Sequence, residues 1–139
     1  MEFFLFLNEN TQQLVKFISK ANYKISENSG ICYHHLVTGF IQYPQKLFTV
    51  CTDNIKNTSY NVRYDVNRVV THEAMHVAQM CNRNRPLGLQ KSSLTIEKYQ
   101  RIERSLAIGS NMNYDAEYEA YMMEDNPKQV AEYLKTFCF

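Results

Sequence analysis

The sequence predicts an α+β domain in which helices outnumber strands and a small mixed sheet supports them. Three observations carry this expectation. Five stretches, near 11–21, 66–83, 94–108, 115–124 and 127–137, hold apolar residues at helical spacing. Two short segments, 31–38 and 46–52, are rich in Val, Ile, Phe, Tyr and Thr, and Gly39 and Pro44 lie between them, the pattern of paired strands. The chain has 139 residues, four Gly, three Pro and no repeat or low-complexity tract, so 1–139 is read as one domain around one core.

Taken in order, residues 3–7 form the longest apolar run and fit either a further strand or the lead-in to the first helix. Asn10 with Gln13 three residues later fits a helix cap, and Leu14, Val15, Ile18 and Ala21 continue that helix as a backing element. The polar stretch 26–30 ends it, and the two strand segments follow. Residues 53–61 are polar with Asn54, Asn57 and Asn61 as turn formers. Asp65 then caps a central helix on which Val66, Val69, Val70, Val77, Met80 and Cys81 keep a helical period until Pro86 and Gly88 stop it. The helix over 94–108 closes at Gly109. Asn126 as cap, Pro127 in the first turn and Gln129 three residues past the cap mark the start of the last helix.

Composition narrows the function classes. Fifteen Lys and Arg balance fourteen Asp and Glu, giving a formal charge of +1, and no basic patch or acidic tail gathers them, so neither nucleic acid nor an anionic membrane is expected as a partner. The run 3–7 is far below the roughly 20 apolar residues of a membrane span. Glu2 stands where a secretory signal carries positive charge, and a cytoplasmic protein is the expectation. Cys32, Cys51, Cys81 and Cys138 form no Cys-x-x-Cys pair and are expected as buried thiols, with paired disulfides the alternative if the chain is exported.

Inside the central helix lies His72-Glu73-Ala74-Met75-His76. Two imidazoles four residues apart project from one helical face and can hold one Zn²⁺ at about 2.0–2.1 Å. Glu73 then lies beside water on that metal, whose pKa falls toward about 7, and can take its proton and pass it to a leaving group. With four His and ten Glu in 139 residues, a shuffled chain shows this pattern in roughly one case in a hundred. Burying two imidazoles and a carboxylate on an apolar helix without a partner is costly, which favours a metal.

A hydrolytic site needs a third protein ligand and an open position for water. No His follows His76, so a later carboxylate is expected, and 115–121 supplies candidates. Glu117 and Glu119 cannot both face the metal, because two helical residues are about 200° apart. Glu117 is favoured, since Ala120 and Tyr121 share its face, and Glu119 is the alternative. Tyr114, one turn before Glu117, is a candidate donor to a developing oxyanion. His34 and His35 lie on the predicted strand 31–38, where at most one looks into the cleft. The strand 46–52 is read as a sheet edge that offers backbone groups to an extended peptide, with Cys51 near the cleft.

These residues resemble the small zincin metallopeptidases, and among them the gluzincins, whose third zinc ligand is a glutamate on a later helix. Glu117-Tyr118-Glu119-Ala120 is similar to the Glu-x-x-Ala signature of several such families, and the resemblance gives Glu117 the ligand role. Residues 50–55 and 67–73 are similar to the mitochondrial peptidases that process an ATP synthase subunit. The metzincin extension is absent, since Gln79 and Asn82 occupy its glycine and third-histidine positions, which also directs the third ligand to a later carboxylate. One departure stands out: Tyr121 stands where some gluzincins carry an acid that orients the first histidine. The resemblance implies a minimal zincin-like domain, a Zn²⁺ cofactor and a peptide or protein substrate. The alternative is a noncatalytic metal-binding or interaction domain that keeps the same metal-binding residues.

Overall fold

In the computed structural model the described residues are 1–108 and 113–139. A short 3-10 helix (Glu2–Phe6) precedes α1 (Glu9–Lys20), β1 (Lys24–Glu27), α2 (Gly30–His35), β2 (Gly39–Gln42), β3 (Leu47–Val50), α3 (Thr52–Thr58), α4 (Val62–Cys81), α5 (Ile96–Ala107), α6 (Tyr114–Met123) and α7 (Pro127–Cys138). The class is α+β, and the sheet is mixed. Its order is β1-β3-β2, with β1 parallel and β2 antiparallel to β3. Among the described residues no helix is long and apolar enough to cross a membrane.

The axis of the fold is α4, which packs against α1, α6, α7 and the sheet. Asn61 starts it by accepting from the Tyr64 amide, which satisfies one of the free N–H groups of the first turn. From Val69 to Met80 every residue is buried, so α4 has no solvent face through the middle of the domain. Leu14 and Ile18 of α1, Phe48 and Val50 of β3, and Val130 and Leu134 of α7 close over Val66, Val70 and Val77. Truncating a fully buried side chain here, such as Met75→Ala, costs about 2–5 kcal/mol. A second cluster, Ile102 with Tyr118 and Tyr121, attaches α5 to α6.

Several elements differ from the sequence expectation, and tertiary anchors explain them. Residues 31–38 are not a strand: Gly30–His35 is helical, held by the Cys32–Cys51 disulfide and by the Asn54 amide, which donates to the Cys32 and Val37 carbonyls. His34 and His35 are exposed on that short helix. The polar stretch after residue 51 is not a loop but α3, whose start is fixed where Asp53 N–H donates to Asn28 and the Thr52 hydroxyl donates to Glu27. The strand predicted over 46–52 forms at Leu47–Val50 but lies in the centre of the sheet, and the edge on the α4 side is β2. The caps also move outward: Asn8 starts α1 and Asn61 starts α4, while Asp65 sits in the first turn. Residues 3–7 resolve as the 3-10 lead-in. Gly109, the predicted end of α5, lies outside the described residues.

The cysteines are not thiols. Cys32 pairs with Cys51, and Cys81 at the end of α4 pairs with Cys138 at the end of α7. Spacing alone does not fix such pairings, because four cysteines allow three connectivities. The second bridge ties the last helix to the axis of the fold.

Candidate metal centre

His72 and His76 lie one turn apart on the inward face of α4, with ring centroids 5.0 Å apart. Across from them α6 presents Glu117. Its Oε1 is 2.5 Å from Nε2 of His76 and 3.7 Å from Nε2 of His72. Asn113 builds this approach by capping α6 through the Ala116 amide, and Ala120, fully buried one turn on, lets the helices come close. Glu73 Oε2 is 3.8 Å from His72 Nε2, and His72, Glu73 and His76 place ligand atoms within 4.8 Å of one another. His72, Glu73, His76 and Glu117 are 9%, 8%, 3% and 4% exposed.

The outer ring nitrogens fix the tautomers. Gln79 NH₂ donates to the Ala116 carbonyl and to Glu119, both at 3.0 Å, and both partners only accept. The Gln79 oxygen must therefore face His76, and at 2.7 Å it accepts from Nδ1–H. His72 Nδ1 is 3.0 Å from Glu124 Oε1, and toward a carboxylate it must donate. Both histidines thus turn Nε2 inward, onto an anionic carboxylate. Three acceptors converge with no donor of their own, so the arrangement requires a cation, either added protons or a metal. Tetrahedral Zn²⁺ bonds of about 2.0–2.1 Å put ligand atoms about 3.3 Å apart, between the two observed separations. Two imidazole nitrogens and a carboxylate oxygen are the donor types such an ion takes, with Glu73 near enough to His72 and His76 to be grouped with them.

The electrostatics agree. Burial opposes charge on His72, but hydrogen bonds with Glu117 and Glu124 outweigh it and hold the imidazole well above its ordinary value. Burial likewise resists ionisation of Glu117, and its bonds with His72 and His76 reverse this, leaving the carboxyl far below the usual carboxylate range. Glu73 goes the other way: burial pushes it up against the pull of both histidines. Two neighbouring carboxyls are therefore driven apart, one toward a permanent anion and the other toward a group that exchanges protons nearer neutrality.

Glu119 does not join this cluster. It is buried and accepts from the backbone N–H groups of Leu87, Gly88 and Leu89 at 2.8–2.9 Å, fastening the segment after α4. Gly88, at φ +81°, supplies the turn that aims those donors. Tyr114 is 44% exposed and its ring meets Tyr118 and the Lys91 ammonium. Glu124 and Gln79 were not singled out from the sequence as histidine partners. Glu124 lies two helical turns past Glu117 and Gln79 one turn past His76, so helical periodicity holds the signal for both. Tyr121, at the position where an acid would orient the first histidine, packs edge-on against His72 at 4.4 Å between ring centroids, and Glu124 makes that contact instead. Arg68 Nε and Lys98 Nζ approach the other oxygen of Glu124 at 3.6 and 3.7 Å.

No curated protein and no solved structure matches the chain. Residues 3–139 match one family, so the chain belongs to the family described as a domain of unknown function, DUF8637.

Proposed function

We propose that the chain is a zinc-dependent peptidase of the zincin type, in which His72, His76 and Glu117 hold the metal and Glu73 is the general base. The convergence of two inward Nε2 atoms and the Glu117 carboxylate, with both outer nitrogens already donating, is the observation that carries this reading. A metal held there supplies Lewis-acid polarisation of a carbonyl and lowers the pKa of water toward about 7. Glu73, raised by burial and beside His72, takes the proton from the attacking water and returns it to the departing amine. The outer edge of β2 runs beside α4 and offers N–H and C=O groups to an extended substrate.

Two disulfides favour an oxidising compartment as the place of action, in place of the cytoplasm expected from the N-terminal residues. The direct test is Glu73→Gln with an internally quenched peptide library. Zinc should stay bound while turnover falls at least about a hundredfold. Unchanged cleavage removes Glu73 from the chemistry, and wild-type protein that binds zinc but cuts no sequence points to a noncatalytic domain.

A further inference from the structure

We infer that Gly39 is a positioning residue: the missing side chain lets β2 lie directly on Glu73 and so sets both the place of the general base and the height of the sheet edge above it. The inference rests on the peptidase reading for its consequence in catalysis, and on packing alone for its geometry. A Cβ at residue 39 would stand 2.7 Å from Val69 Cγ1, 3.2 Å from the Thr49 carbonyl oxygen and 3.3 Å from Glu73 Cγ. The first distance is below any normal contact, and the second is to the backbone of the central strand. The 2.7 Å contact cannot be met in place, whereas those at 3.2 and 3.3 Å need a give of only a few tenths of an ångström. Val69 is buried on α4, and Thr49 is paired in register on both sides.

The strand cannot slide to make room either. Cys51 N–H donates to the Thr38 carbonyl at 2.9 Å, and Cys51 is itself bridged to Cys32, so the start of β2 is fastened along the sheet. The one relief open to an added methyl is to lift β2 away from α4. Side chains alternate along a strand, so Gly39 and Ile41 share the face turned to α4. Ile41 packs on the core, and Gly39 gives up its side chain where the base stands. Glu73 is thus held from above by backbone, with its Cγ against Gly39, while its carboxyl end remains near His72. A glycine here costs conformational entropy in the unfolded chain, and close backbone approach is the return.

The experiment compares wild type, Gly39→Ala, Val69→Ala and the double variant, each loaded with zinc. With an internally quenched octapeptide library, Gly39→Ala should lower kcat about tenfold to a hundredfold while KM moves less than about threefold, the scale of a misplaced catalytic group. Zinc should remain at one equivalent. Val69→Ala alone should keep kcat within about threefold, and combined with Gly39→Ala it should restore most of the loss by removing the closest obstacle. Crystal structures should show β2 lifted from α4 at residue 39 in the single variant and returned in the double. An unmoved strand, an unchanged kcat or a folded double variant that stays impaired overturns the inference. Should wild type bind zinc and cleave nothing, the peptidase reading falls, and the strand displacement still decides whether Gly39 sets the approach of β2 to Glu73.

Discussion

Glu124 Oε1 stands 3.0 Å from Nδ1 of His72, a contact between the end of α6 and the middle of α4 that fixes which nitrogen of His72 faces inward. Such outer partners orient metal-binding imidazoles and raise their basicity. Glu124→Ala should therefore weaken zinc binding about tenfold to a hundredfold without touching a ligand, read by competition with a chelator. An affinity equal to wild type would show that His72 needs no such partner.

Gln79 performs the matching task for His76 with an amide in place of a carboxylate. Gln79→Leu leaves the buried Nδ1–H of His76 without its acceptor, at a cost of about 1–3 kcal/mol, while Glu119 keeps its three backbone donors. Thermal unfolding should move down by several degrees, and zinc affinity should fall by about tenfold. A variant with wild-type Tm and affinity would contradict the tautomer assignment.

The Cys81–Cys138 bridge closes 57 residues between the ends of α4 and α7, two helices that pack extensively on each other. A loop of that length is worth about 4 kcal/mol in the chain-entropy description. Cys81→Ser with Cys138→Ser should lower Tm by roughly 10 °C or more, and alkylation of unfolded wild type before reduction should label no cysteine. Labelled thiols would contradict the pairing of all four cysteines.

The pH dependence of the metal-free protein has a definite sign. His72 is held well above its ordinary 6.5, because Glu117 and Glu124 outweigh burial, and Glu73 is raised above 4.5 by burial. Both bind protons more tightly when folded, so their contributions are complete below those ordinary values and are lost as pH rises through the raised ones. Glu117, lowered against the effect of burial by its bonds to both histidines, contributes above 4.5 and loses that contribution as pH falls through its lowered value. Metal-free Tm should accordingly fall as pH rises above the ordinary histidine value of 6.5, and zinc, which replaces the proton, should abolish most of that decline. A metal-free Tm that rises with pH above 6.5 would contradict the assignment.

Long-period features were legible in the sequence and short or distant ones were not. The twenty residues of α4 repeat their apolar positions often enough to be read, and the His72 and His76 spacing falls out of that helix directly. Strands β1 and β2 have no fully buried residue, so no apolar run marks them as it marks β3, and Gly39 reads as a break between strands although it begins one. Ile31, Tyr33 and Val37 carry β propensity, but the Cys32 bridge and the Asn54 amide override it. Glu119 shows the limit of reading charge from sequence: it is buried like Glu117, and only the Leu87–Leu89 amides distinguish an anchor from a ligand.

Zinc titration of metal-free wild type, Glu117→Ala and Glu119→Ala, with stoichiometry by elemental analysis, tests the metal centre most directly. Wild type should bind one equivalent tightly, Glu117→Ala should lose that site while staying folded, and Glu119→Ala should keep it at reduced Tm. A wild type that takes up no zinc, or a site lost with Glu119 and kept without Glu117, would contradict the assignment of His72, His76 and Glu117 as a metal centre.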